Sequence, residues 1–255
     1  MRIVAVTNQK GGSGKTTTAV NVAACLADRR QRVLLVDLDP QGNASSWLGV
    51  PPPTDRGLAD VFTADARLDE LVTDTPVNQL QIVPASPFLL GVERAVAGEP
   101  GAEMILRRTV EQLPDRFDWL LIDCPPSLGL LTLSAFVAAD ELLVPVEAHI
   151  LALEGLAGLM QTVERVRERL RPELRVGGIV ACRVSRTRLA REVVEQLRER
   201  FGDLVLQTVI RENIKVAEAP SWHQPITAYA PASNGAADYR AVVGELLQRS
   251  QRKRR

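Results

Sequence analysis

The chain has 255 residues, 45% of them apolar, and its 31 basic side chains balance 31 acidic ones. That length suits one large α/β domain or two small ones, and no run approaches the roughly 18 consecutive apolar residues of a membrane-spanning helix. Cys25, Cys124 and Cys182 are scattered, with no C-x-x-C, and His149 and His223 are isolated, which argues against a disulfide framework, a zinc site or an iron–sulfur cluster.

Met1-Arg2-Ile3 runs straight into the first apolar stretch, leaving no room for a signal peptide; a cytoplasmic location is expected. Ile3-Val4-Ala5-Val6 reads as a buried strand, about 3–8. Lys10-Gly11-Gly12-Ser13-Gly14-Lys15-Thr16-Thr17 follows and opens a helix over about 16–29. Strand, glycine-rich turn, Lys-Thr and helix together form a phosphate-binding loop, although strict G-x-x-x-x-G-K-[ST] spacing would need glycine where Gln9 stands. Gly11, Gly12 and Gly14 let backbone N–H groups turn inward, and with Ser13 and the helix N-terminus they build an anion nest. Lys15 is placed to reach the β- and γ-phosphates, and the Thr16 hydroxyl to ligate Mg²⁺. The chain has only four lysines, Lys10, Lys15, Lys215 and Lys253, against 27 arginines. Two of the four flank this loop, where a compact ammonium is the better cation.

Further strands are expected at about 32–37, 80–84, 118–123, 141–146, 175–182 and 204–210. Helices are expected at about 87–97, 101–113, 129–139, 151–171, 186–201 and 233–249, and residues 49–57 are expected to form a loop. This alternation predicts a single-domain α/β fold of the P-loop NTPase kind, a mostly parallel twisted sheet with helices on both faces. Residues 1–249 would form the domain and 250–255 a basic tail. The second strand delivers Asp37 and Asp39 to its carboxyl end, where open α/β sheets bind ligands. Asp39, in a turn with Pro40 and Gly42, could orient an attacking water and help hold the metal; equally, an Asp before Pro is a common turn former. Trp119-Leu120-Leu121-Ile122-Asp123 is an apolar run ending in an acid, which fits a Mg²⁺-holding Asp123.

Lys10-to-Thr16, then Leu34-Leu35-Val36-Asp37-Leu38-Asp39-Pro40-Gln41-Gly42-Asn43, then Leu121-Ile122-Asp123-Cys124-Pro125-Pro126 resemble the ParA/Soj branch of the deviant Walker A ATPases. The resemblance runs from residue 1 to about residue 248. It implies an Mg²⁺-dependent ATPase in DNA segregation, active as an ATP-driven sandwich dimer. Lys10 would reach the partner chain's phosphates, Gly12 would stay small at the interface, and Asp39 would position the water. It also implies non-specific, salt-sensitive binding to double-stranded DNA, nucleoid association and a stimulating ParB-like partner.

The second half carries 19 basic and 12 acidic side chains against 12 and 19 in residues 1–150, so a polyanion-facing surface would lie there. Ser185-Arg186-Thr187-Arg188-Leu189 resembles the family's R-T-x-L segment. By that resemblance Arg186 and Lys215 contribute to DNA binding, with Arg188 beside them; a solvated helix face with i,i+4 pairs is the plain alternative. Leu189, Val193, Leu197 and Phe201 share the helix's other side. Glu218-Ala219-Pro220-Ser221 matches the family, placing Asn213 and Pro220 near the nucleotide. Ala181-Cys182-Arg183-Val184 and Ile210-Arg211-Glu212-Asn213 depart from it near the base, and Arg183 and Arg211 could instead extend the basic surface. Arg249-Ser250-Gln251-Arg252-Lys253-Arg254-Arg255 is polybasic and suits DNA phosphates, anionic lipid or a frayed end. A MinD-like membrane ATPase is the main alternative, but it needs an amphipathic last helix with a Phe/Trp-rich face, which is missing, so no membrane contact is expected. A nitrogenase-iron-protein-like reductase lacks its cysteines, and a small-molecule ligase such as dethiobiotin synthetase fits Asp37-x-Asp39-Pro40-Gln41-Gly42 less well. With no DNA-reading segment before the first strand, operator-specific repression is not expected.

Overall fold

The computed structural model describes residues 1–54, 57–64, 66–149 and 152–252. Seven strands form one sheet: β1 (Arg2–Val6), β2 (Val33–Asp37), β3 (Thr73–Asp74), β4 (Leu80–Val83), β5 (Trp119–Asp123), β6 (Glu141–Glu147) and β7 (Arg175–Cys182). Their order is β3-β4-β2-β5-β1-β6-β7. All neighbours are parallel except β3, which runs antiparallel to β4 at one edge. The central strands are apolar throughout because both faces are covered, and Val33–Asp37 and Trp119–Asp123 are buried at every position.

The helices are α1 (Lys15–Ala27), α2 (Asn43–Trp47), α3 (Leu58–Thr63), α4 (Leu89–Ala95), α5 (Ile105–Glu111), α6 (Leu130–Ala138), α7 (Ala152–Arg169), α8 (Arg188–Phe201), α9 (Ile214–Glu218), α10 (Ile226–Tyr229) and α11 (Asn234–Arg252). Strand alternation divides the core in two. Ala5, Leu34, Val36, Leu120 and Ile122 pack with α3 to α8 on one face. Val4, Val6, Val33, Leu35 and Leu121 pack with α1, α2 and α11 on the other. The expected doubly wound α/β architecture is what forms.

Three expectations change. Residues 204–210 are not a strand: the segment touches β7 through one single bridge, Ile179 to Val205, with a second, Val184 to Arg211, just past both, and a 3-10 turn at Gly202–Leu204 leads into it. Leu206 N–H donates to the Ile179 carbonyl and Ile210 N–H to Ala181, so pairing there is intermittent. The seventh strand is instead Thr73–Asp74, too short to have a period of its own. On α8, Val193 and Leu197 are buried as expected, but Leu189, in the first turn of the helix, is 51% exposed. Finally, α11 continues to Arg252; residues 253–255 of the basic tail lie outside the described residues.

Candidate functional site

The phosphate loop connects β1 to α1 at the carboxyl edge of the sheet. Gly12 (φ 75°) and Gly14 (φ 90°) adopt left-handed backbone, which is cheap only for glycine. Gly14 caps α1 without any side-chain bond. Among the described residues, no turn or loop hydrogen bond engages the amides of Gly11, Gly12 or Gly14. A row of free N–H groups at a helix N-terminus is an anion site. A Cβ built on Gly11 or Gly12 would meet nothing within 4 Å, so the chain's own packing does not require either to be small.

This loop forms the floor of a cavity of about 670 Å³. Gly11, Gly12, Gly14, Lys15, Thr16, Thr17 and Asp39 line it together with Arg183, Arg211, Asn213, Ile214 and Pro220. Ser13 is buried, and its hydroxyl has no partner. The Asn213 side chain accepts from the Lys215 amide at 2.8 Å and caps α9, which holds that wall in place.

Strand register sets the acids. Asp37 and Asp123 are directly paired positions at the carboxyl ends of β2 and β5. Neither Asp123 oxygen has a hydrogen-bond partner, nor does Asp37 Oδ1. Burial pushes the Asp123 carboxyl well above its usual range, and the nearby Asp37 and Asp39 charges add to this. The Thr16 hydroxyl and the Lys15 ammonium oppose it. Burial likewise pushes Asp37 up to about 6, against the bonds its Oδ2 accepts from the Ser45 amide and hydroxyl at 2.8 and 2.7 Å. Asp39 accepts from the Gln41 amide at 3.0 Å, which fixes it in the turn before α2. Lys15 is 6% exposed, and burial lowers its pKa against the pull of Asp123 and Asp39. Lys15 Nζ donates to the Lys10 carbonyl at 3.3 Å.

These donors fit Mg²⁺: an alcohol and carboxylates, with orphaned acceptor oxygens. The described residues offer no cluster of three or more His, Cys, Asp or Glu able to cage an ion. Mg²⁺ suits such a site, because it keeps several waters and takes one or two carboxylates plus phosphate oxygens. Thr16, Asp39 and Asp123 are the alcohol and carboxylates at this edge with the oxygen chemistry such an ion takes.

The profile of a family described as an AAA domain (AAA_31) matches residues 1–176. The chain is 47% identical over 252 residues to the chromosome-partitioning ATPase Soj of Thermus thermophilus, covering 98% of this chain and 97% of that one. It is 42% identical over 250 residues to the chromosome partitioning protein ParA of Myxococcus xanthus, covering 97% and 88%. The chain belongs to the ParA/Soj family of chromosome-partitioning ATPases. Among solved structures, the cell division ATPase MinD of Pyrococcus furiosus superposes with a TM-score of 0.81 at 28% identity, covering 97% and 98%. A cobyrinic acid a,c-diamide synthase from Mycobacterium smegmatis, with bound ADP and magnesium, gives 0.86 at 32% identity, covering 98% and 96%.

Some features of this ParA/Soj chain are not visible in its motifs. Arg211 forks onto Asp238 at 2.5 to 3.1 Å and lines the cavity, so it is a wall residue and not free basic surface. Arg183 also lines the cavity and pairs with Glu147 at 3.0 Å. Of the residues taken for DNA contact, Arg186 is exposed and Arg188 pairs with Glu192 at 2.7 Å. Lys215 pairs with Glu218 at 2.8 Å and sits over the Tyr229 ring. The Val184–Arg211 bridge brings the Arg186 and Lys215 segments alongside each other. Asp37 was legible as a strand-end acid, but its relay was not: the Ser45 hydroxyl that donates to it accepts from the Ala85 amide at 3.0 Å.

Proposed function

We propose that this chain is an ATP-driven switch of DNA segregation. It binds Mg²⁺-ATP in the phosphate-loop cavity, with Gly11, Gly12, Ser13, Gly14, Lys15, Thr16 and Thr17 on the phosphates and Asn213 and Pro220 toward the base. Thr16, Asp39 and Asp123 hold the metal, and Asp39 orients the attacking water. ATP drives a sandwich homodimer in which Lys10 reaches the other chain's phosphates. Residues 1–249 act as the ATPase domain and 250–255 as a basic tail. The dimer binds double-stranded DNA without sequence preference through Arg186, Lys215 and, more weakly, Arg188, which places it on the nucleoid. A ParB-like centromere-binding partner stimulates hydrolysis and releases it.

The observation that carries this reading is the nest of glycine amides at the sheet edge that also holds the buried Asp123 carboxylate, neither of whose oxygens has a hydrogen-bond partner. Such groups are costly unless a ligand completes them. The MinD-like membrane reading is less favoured for a physical reason. The apolar face of α11 (Ala236, Tyr239, Val242, Val243, Leu246) is buried in the core, and no described helix is long and apolar enough to cross a membrane. Arg249 is also engaged, with Glu245 and the Asp203 and Val205 carbonyls.

The test is binding to random-sequence duplex DNA with ATP, with ADP and without nucleotide, at two salt concentrations. Binding that needs ATP and falls steeply with salt supports the reading. Absence of binding under every condition sinks it, and liposome binding with ATP would then favour the membrane alternative. Arg186→Glu combined with Lys215→Glu should lose DNA while retaining ATP turnover.

A further inference from the structure

The Lys10 backbone is fixed, and its side chain is held by a single long contact. Its N–H donates to Asn8 Oδ1 at 3.1 Å, and Asn8 is itself tied to β6 through the Pro145 carbonyl at 2.8 Å. Its carbonyl accepts from Lys15 Nζ. Its ammonium lies 3.4 Å from Glu147 Oε2, at the last residue of β6. The other oxygen of that carboxylate, Oε1, is 3.0 Å from Arg183 Nη1. Arg183 stands at φ 51°, a backbone region that non-glycine residues seldom adopt, and it lines the nucleotide cavity. One carboxylate therefore divides its oxygens between two cations beside the phosphate loop.

We propose that Glu147 is a positioning residue that keeps the Lys10 ammonium within its own chain until nucleotide and a second chain are present. The inference rests on the reading that Lys10 serves the partner's phosphates. A single ammonium cannot stay on Glu147 and cross an interface. The Lys10 side chain is 41% exposed and the contact long, so the pair is a weak one that a polyphosphate outcompetes. Release leaves no stranded charge, because Arg183 remains on Glu147. Filling the cavity also loosens Lys10 from behind: a phosphate draws Lys15 Nζ away from the Lys10 carbonyl. Glu147 thereby sets how much ATP is needed before two chains join, without touching the nucleotide's own contacts.

With only four lysines in the chain, selective ¹³Cε-lysine labelling gives a spectrum simple enough to read Lys10 directly. In the nucleotide-free protein, Glu147→Gln should shift the Lys10 signal and leave that of Lys15 in place. In analytical ultracentrifugation the same variant should lower the ATP concentration for half-dimerisation by about two- to fivefold, the range expected from losing one exposed ion pair. Nucleotide affinity of the monomer should stay unchanged, and Glu147→Asp should restore part of the wild-type threshold. An unmoved Lys10 signal, or a threshold that is unchanged or raised in Glu147→Gln, overturns the proposal. Failure of the underlying reading looks different: Lys10→Ala would then dimerise and hydrolyse ATP like the wild type, whatever Glu147 does.

Discussion

At the amino edge of the sheet, strand-end charges are matched in pairs. Arg2 bonds Glu141 and lies 4.5 Å over the Trp119 ring, Arg32 forks onto Asp118 at 2.7 to 3.1 Å, and Arg171 reaches Asp140 at 3.3 Å. At the carboxyl edge of the same strands, Asp39 and Asp123 act on one buried lysine with Asp37 beside Asp123, and three carboxylate oxygens there have no hydrogen-bond partner. The strands are shared; the Arg32–Asp118 and Arg171–Asp140 pairs are matched and partly exposed, whereas the acids of the carboxyl edge are buried and partly open. An edge whose charges are satisfied within the chain contributes stability, and one whose charges are left open holds free energy that a ligand can recover.

Removing the central cation tests the open edge most severely. Lys15→Ala should weaken nucleotide binding by at least about a hundredfold, the value of two charge-assisted bonds to phosphate; fluorescent-nucleotide titration measures it, and near-normal affinity would remove the phosphate-loop assignment. Next, Asp123→Asn should cut Mg²⁺-dependent ATP turnover by about a hundredfold or more. The same change should make the nucleotide-free protein more stable by about 1–3 kcal/mol, since it replaces a buried, unpaired carboxylate with a neutral amide; a loss of stability in urea denaturation would contradict the comparison. At the paired edge the pattern reverses: Glu141→Gln should cost about 1–2 kcal/mol of stability and leave turnover unchanged.

The smallest effect expected is one of pH. Asp37 titrates at about 6 when folded, above the ordinary carboxylate value of about 4. Between those values the folded chain keeps a proton that the unfolded chain has released. Linkage then makes metal-free stability fall as pH rises through that window, with Asp123 acting in the same direction. Thermal melts in EDTA should show the fall, and Asp37→Asn should flatten it.

The apolar runs ending at Val6, Asp37 and Asp123, and the glycines before Lys15, identified a parallel sheet with a phosphate loop at its carboxyl edge. Those signals are local: strand composition, helix period and turn chemistry act over a few residues. The segment 204–210 has strand-like composition yet pairs only intermittently with β7, whereas Thr73–Asp74 joins the sheet with no local signal at all. A residue's pairing depends on whether a neighbour's edge is free. Leu189 is apolar but exposed for the same kind of reason, since burial depends on what lies opposite.

By itself the sequence determined the alternation of strands and helices, the nest of glycines and the strand ends on which Asp39 and Asp123 stand, because each is written within single strands, helices or turns. Only the tertiary structure decided that Asp37 faces Asp123 across β2 and β5, that Arg211 is held by Asp238, and that Glu147 meets Lys10 across 137 residues of chain. Those contacts follow from strand order and register, which arise when the whole sheet assembles and which no local run of residues encodes.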